Sequence, residues 1–406
     1  MLSVIILVAV LVSVTRSCVH RDINVQHIDA NIQRRSAYPP HKTSKIGISN
    51  VNIFQGTHFR RGALAIAGDL ITFNLRGVKT WIDGKDGFLI PGLIDSHCHP
   101  ASTSDLQRLS SYGVTTALNM ACANYALCAS LKDQPGLTSF FTADHGITAP
   151  NTTHAIVFQT PPELLMTDPS QAPVFVENAF SNNSDWLKIT AEPNGLSQES
   201  QNRLVELAHA RGRQTMTHAT MIPFYLQAIA SHTDGIQHTP GDGTVTPAMV
   251  SDILTNNKWV TPTTILVQAF LKYPEALALS TYDNNSWPLV IQNVRSMYQA
   301  GVTLLAGTDA IPSDGPLPVS HPLGSTLHEE LDIFVNQVGI KPHEALRAAT
   351  LLPAQMHKLS DRGIIAEGKR ADLVLLRSNP LKSISATRDI ARVWNGGIEF
   401  TPVAEG

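Results

Sequence analysis

The stretch Phe88-Leu-Ile-Pro-Gly-Leu-Ile-Asp95-Ser-His97-Cys-His99-Pro100 ends an apolar run in two imidazoles spaced two residues apart. Side chains at i and i+2 of a strand point to the same face, so His97 and His99 can share one ion while Cys98 points the other way. A strand end of this kind is a ready chelate. Asp95 has the same parity as His97 and reads as a supporting group with a buried partner of its own.

Outward from this motif, strand-like runs alternate with helical patterns over residues 91–359, close to the roughly 250 residues of an eight-fold β/α barrel. The expected strands end near His99, Asn119, Thr142, Thr190, His218, His238, Thr263 and Asp309. Helices are expected over 197–211, 246–256 and 341–348, each opened by a capping residue or a proline. Short strands separated by turns precede the motif at 46–54, 63–67, 70–75 and 79–82, and strand patterns return at 363–376 and 391–400. The two flanking sets are expected to pair, so that 45–90 and 360–406 make one small β domain beside the barrel.

The chain has 406 residues and a formal net charge of −3 with no basic block, which gives no electrostatic reason to expect nucleic acid or an anionic membrane as partner. A small-molecule substrate is expected; oligomeric state is not legible. Residues 1–14 are almost wholly apolar but too short to span a bilayer as a helix. They read as part of a signal peptide cut after Ser17, and hence a secreted or lumenal protein, with a buried N-terminal strand and a cytoplasmic location as the alternative. Residues 18–44 read as a linker or pro-segment. Cys122 and Cys128 are spaced either to close a small disulfide loop or to remain two core thiols, and Cys98 is expected to be structural.

Four more polar residues fall where expected barrel strands end: Lys188, His218, His238 and Asp309. Chemistry in such barrels is built at the C-terminal ends of strands, so these residues converge with His97 and His99. Glu192 shares the strand parity of Lys188 and is an alternative anionic ligand, although Pro193 interrupts the run. Tyr225 follows His218 and is a candidate substrate contact, against the ordinary reading of a helix aromatic as core.

The ordered set His-x-His, Lys, His, His, Asp resembles the metal-dependent amidohydrolase superfamily, in its imidazolonepropionase-like and prolidase-like branch. Residues 91–99 match its strand-one motif, 113–119 resemble its second strand, and 345–350 with 363–376 resemble its closing helix and returning strands. The resemblance runs over about residues 45–403. It implies a (β/α)8 TIM barrel with a small composite β-sandwich from both termini. It further implies that His97 and His99 hold one metal, that His218 and His238 hold a second, and that Lys188 bridges them as a carbamate. Two cations about 3.5 to 4 Å apart need such an anionic bridge. Asp309 then ligates the first metal and serves as the acid/base. Zinc is the ion expected, two per chain, with Mn²⁺, Fe²⁺ or Ni²⁺ also suited to the ligands. His145 follows the third strand, where relatives bind substrate, and His154 is a weaker claimant.

The reaction these residues imply is hydrolysis of a C–N bond in cyclic amides, lactams or small peptide-like amides, with Asp309 taking the water proton and passing it to the leaving nitrogen. A lactonase, phosphotriesterase or decarboxylase using the same metals is the alternative chemistry, since fold and ligands do not choose among them. A non-catalytic scaffold is the alternative of another class.

Overall fold

The computed structural model describes residues 45–122, 124–272, 286–312 and 321–401. The expected signal peptide and linker lie outside these residues. The strands are β1 (Ile46–Phe54), β2 (Phe59–Ala67), β3 (Leu70–Thr72), β4 (Thr80–Pro91), β5 (Leu93–Cys98), β6 (Val114–Asn119), β7 (Ser139–Thr142) and β8 (Leu187–Thr190). They continue as β9 (Thr215–His218), β10 (Gly235–Gln237), β11 (Trp259–Thr261), β12 (Thr303–Leu304), β13 (Leu373–Leu376), β14 (Ile390–Asn395) and β15 (Ile398–Glu399).

The two ends of the chain share one seven-stranded sheet, ordered β15-β14-β13-β4-β1-β2-β3. Strand alternation gives the sheet two apolar faces. Leu89, Leu373 and Leu375 join Ile48, Val51, Leu64, Ile71 and Trp394 in one cluster, whereas Ile90, Val374 and Leu376 belong to the main core with Leu109 and Val114. The edge strand β3 bonds back to the segment before β13, through Ile71 N to Lys369 O (2.8 Å) and Gly368 N to Ile71 O (2.9 Å). The expected pairing of the terminal segments is therefore present, within a single sheet. Gly92 makes the step from β4 to β5. Its nitrogen donates to Asp372 O at 2.8 Å, and a Cβ there would meet Thr115 Oγ1 at 2.0 Å, so no larger residue fits between the sheet and β6.

Parallel strands make up the rest, as β12-β11-β10-β9-β8 and β5-β6-β7. Backbone contacts link these two sheets on both sides. The bridge Ala143–Trp186 and the bond from Asp185 N to Thr142 O (2.8 Å) join β7 to β8. The bridge Cys98–Ala310 and the bond from Ser96 N to Ala306 O (3.0 Å) join β5 to the segment after β12. Helices occur where the caps placed them: Gln198–Ala210 behind Ser197, Pro247–Thr255 behind Thr246, and Pro342–Ala348. Among the described residues no helix is long and apolar enough to cross a membrane. Cys122 and Cys128 form a disulfide, and Cys98 is a buried free thiol.

Strands β6 to β9 end at the residues expected, but β10, β11 and β12 stop before His238, Thr263 and Asp309. The reason is local. His238, the residue straight after β10, has a left-handed φ of 74° that turns the chain out of the run, whereas β12 closes at Leu304, five residues before Asp309.

His357 lies buried between two indoles, with ring centroids 5.1 Å from Trp186 and 5.4 Å from Trp259. Both indoles belong to the apolar cluster of Ile94, Leu118, Met216 and Leu305. Burial pushes the imidazole pKa down from 6.5 to about 3. The unfolded chain therefore binds a proton that the folded one refuses, and stability falls as pH drops through this interval. His357→Leu is expected to flatten the acid limb of the stability profile, read as denaturant midpoints from neutral pH to about pH 4; equal slopes in both proteins would refute this.

Candidate metal centre

β5 delivers His97 into the interior, and His99 follows one residue past its end. Cys98, on the opposite parity, packs into the main core. Asp309 meets both imidazoles: its Oδ1 is 3.3 Å from His97 Nε2 and 2.7 Å from His99 Nε2. One donor atom from each of the three lies within 4.8 Å of the others. Gly307 permits this approach, since a Cβ there would sit 2.8 Å from His97 N and 2.5 Å from Thr261 Cγ2. Asp95 ties the two chain segments together, accepting from His97 N (3.2 Å), Thr308 N (3.1 Å) and Thr308 Oγ1 (2.7 Å). Burial nevertheless raises its carboxyl pKa to about 7.

His218 ends β9, and His238 follows β10. Their ring centroids are 4.3 Å apart, and His238 is 4.9 Å from His97. Burial lowers the pKa of both well below the usual imidazole value, so both are neutral and carry a free lone pair. His238 Nδ1 is 2.7 Å from Thr263 Oγ1, while the buried Nε2 atoms of His218 and His238 have no partner. Lys188, on β8, is buried as well. Burial lowers its ammonium pKa to about 8, against the charges of Asp309 and Asp144, which pull it up. Its own charge acts on His97, His218 and His238, so all six residues form one electrostatic cluster. The left-handed backbone at His238, Thr263 and Asp309 costs of order 1 kcal/mol or more per residue.

Asp309 sits in a buried setting that disfavours its ionisation, yet the charge and hydrogen bonds of His97 and His99 hold its carboxyl pKa well below the usual range. His97 Nδ1 lies 2.9 Å from Gln237 Oε1, and Nε2 is the nitrogen that faces the Asp309 carboxylate. At 3.3 Å that nitrogen and the carboxylate need a proton or a metal cation between them. The unpaired Nε2 atoms of His218 and His238 make the same demand. The donor set therefore fits divalent cations of the kind imidazole and carboxylate bind.

Three sequence expectations are placed elsewhere. Tyr225 is corrected: it is fully buried in the main core with its hydroxyl 3.7 Å from Met297 Sδ, because the short helix Ile222–Ala230 turns that face inward. It offers nothing to a substrate. Glu192 leaves the cluster and accepts from His154 Nδ1 at 2.8 Å and Thr148 Oγ1 at 3.3 Å, so it is no substitute for Lys188 as a bridge. His145 packs between Tyr125, whose hydroxyl is 3.1 Å from Nδ1, and Phe175, and its Nε2 is buried without a partner. Sequence reading missed Gln237, Thr263 and Asp144, whose Oδ1 accepts from Lys188 N at 2.7 Å. Their one signal was adjacency to a strand end.

A model described as the amidohydrolase family matches residues 183–401, more than half of the chain. The chain belongs to the amidohydrolase family. Among curated relatives, imidazolonepropionase of Deinococcus deserti is 32% identical over 106 residues, covering 25% of each protein. Ochratoxinase of Aspergillus niger is 34% identical over 107 residues, covering 25% of this chain and 20% of its own length. The chain thus matches only a quarter or less of these relatives. Solved structures align over far more. A Xaa-Pro dipeptidase with bound methionine superposes with a TM-score of 0.73 at 19% identity, over 88% of this chain and all of the other. A. niger ochratoxinase gives 0.74 at 18% identity, over 90% and 98%. These likenesses establish the amidohydrolase fold.

Within this family member, Gln237 and Thr263 orient His97 and His238 through hydrogen bonds to the Nδ1 atom of each ring. Gln237→Leu and Thr263→Val are each expected to weaken metal binding by about 10- to 100-fold in a competitive chelator titration. Unchanged affinity would remove the orienting role.

Proposed function

We propose that this protein is a metal-dependent hydrolase of C–N bonds acting on cyclic amides, lactams or small peptide-like amides. The observation that carries the reading is a single carboxylate, Asp309, shared by two imidazoles beside two further buried imidazoles with bare nitrogens and a buried lysine. The relatives are consistent with it, being named as an imidazolonepropionase, an ochratoxinase and a Xaa-Pro dipeptidase. On this reading the eight parallel strands β5 to β12 close as a (β/α)8 barrel, with both sheet junctions bridged, and the terminal sheet is its composite β domain.

His97, His99 and Asp309 would hold one ion, and His218 and His238 a second, with Lys188 between them. The lowered Lys188 pKa favours the neutral amine, the form that reacts with carbon dioxide to give a bridging carbamate. Zinc is the ion we assign, two per chain. Bound there, it supplies an acidified water and a polarised substrate carbonyl. Asp309, ionised and within reach of both His97 and His99, accepts the water proton. It then donates that proton to the departing nitrogen, which leaves poorly as an anion. The buried His218 and His238, whose pKa burial holds well below the usual imidazole value, stay neutral. A secreted location is part of the proposal, and the Cys122–Cys128 disulfide is compatible with an oxidising compartment.

Asp309→Asn is expected to retain most of its metal but lose at least about 10²-fold in kcat, measured beside metal content on the same preparation. Full activity would take the acid/base role from Asp309. Lys188→Ala is expected to lose one metal equivalent, and an added short carboxylic acid is expected to restore it; full occupancy without the acid would exclude the bridge. A panel of amides, lactones and phosphotriesters tests the reaction class. Preference for esters would displace the amidase reading, and stoichiometric metal without turnover of any member would favour a scaffold.

A further inference from the structure

A row of rings runs from the buried cluster to the surface. Consecutive centroids are 4.9 Å apart from His97 to His238, 4.3 Å from His238 to His218, 4.3 Å from His218 to His154, and 5.8 Å from His154 to Phe158. Exposure rises along the same row: 1% at His97 and His238, 7% at His218, 26% for the His154 side chain and 55% at Phe158. The outer two rings lie on one short helix, Thr153–Val157 with Phe158 as its C-cap, four residues apart and so on one face. Phe158 N donates to His154 O at 3.0 Å, which fixes their spacing. The inner of these two rings, His154, is anchored from behind. Buried Glu192 accepts from His154 Nδ1 at 2.8 Å and is itself tied to Thr148 Oγ1 at 3.3 Å. His154 is thereby held against His218 with its other ring edge turned away from the carboxylate.

Phe158 leaves a large aromatic face more than half exposed one ring away from a polar, buried centre. The row gives it continuity with the candidate metal centre. We propose that His154 and Phe158 form one wall of the substrate site, and that the group it takes is an aromatic ring, or a flat apolar equivalent, carried on the substrate beside the scissile amide. The proposal rests on the metal-centre reading above and narrows its substrate class. Phe158 acts on affinity by covering apolar surface of the substrate. It has no part in bond breaking. His154 supplies a positioned ring face, and Glu192 keeps that ring from turning.

The experiment uses the metal-loaded full chain and two hydroxamates that share a metal-binding head, acetohydroxamate and phenylbutyryl hydroxamate, with binding measured by calorimetry. The wild-type protein is expected to bind the phenyl compound about tenfold more tightly than the acetyl one, the size of an aromatic pair contact. Phe158→Ser is expected to bring that ratio close to one, and Phe158→Leu to keep part of it. Ile398→Ser, which alters an exposed apolar residue beside Gly136 at the opposite ends of the strands, is expected to leave the ratio as it is. A wild type with no preference overturns the wall, as does a preference that survives Phe158→Ser. Binding of neither hydroxamate overturns it together with the metal centre. A preference that Phe158→Ser abolishes, in a protein that hydrolyses no amide, upholds the wall and removes the amidase reading alone.

Discussion

Everything at the centre depends on one carboxylate held between two imidazoles in a buried setting. Asp309 lies 2.7 Å from His99 and 3.3 Å from His97, whose other nitrogen is already committed to Gln237. Such an arrangement needs positive charge, from a proton or a cation, between the oxygen and the ring nitrogens. The scaffold enforces it through the missing side chain at Gly307, the left-handed turn at Asp309 and the Asp95 clamp onto Thr308. Strain of this sort persists only where surrounding packing over-determines it, and its sites cluster where chemistry is done. Here it coincides with the residues that face the donor set.

The composite sheet contributes to the same end. β4 runs directly into β5 through Gly92, so the position of His97 is inherited from the register of β4 against β1 and β13. Arg362 strengthens this joint. It is buried, donates to Thr116 Oγ1 on β6 at 2.9 Å and lies 3.5 Å from Asp372 on the approach to β13. Arg362 also pairs with Asp361 at 2.9 Å and Asp372 with Arg370 at 3.0 Å, so the joint is a network of charges rather than one isolated pair. The terminal segments therefore act as the foundation of the strand that carries the first ligands.

The parts of the fold legible in the sequence were those where a polar residue ends an apolar run. That signal located β6 to β9 and the six clustered residues, because parallel strands buried on both faces must be apolar until they reach the site. It overran β12, which closes at Leu304, because Leu305 and Ala306 keep the apolar pattern after the ladder has ended. Tyr225 failed because nothing in a helix of continuous hydrophobicity marks which face turns inward. Gln237 and Thr263 stayed hidden for a different reason. A single amide or hydroxyl bonding to an imidazole twenty or more residues away, or well over a hundred in the case of Gln237 and His97, leaves no periodic trace.

Glu192 shows why parity alone does not assign a ligand. It lies four residues past Lys188 on the same strand face, yet the chain leaves the ladder after Thr190 and the carboxylate turns to His154. The charge on His154 helps hold Glu192 below the usual carboxylate range against burial, so the acid is ionised, matched and withheld from the centre. Of the acids considered at this site, that leaves Asp309 to face the histidines directly. If two dications occupy the site, one carboxylate is a poor match for their mutual repulsion, and a buried ammonium at Lys188 would add to it. The burial that already lowers the Lys188 pKa works in the direction that relieves this conflict, toward the neutral amine and so toward an anionic bridge. By binding Glu192 elsewhere, His154 leaves Lys188 as the buried group beside Asp309 whose protonation the cluster must settle.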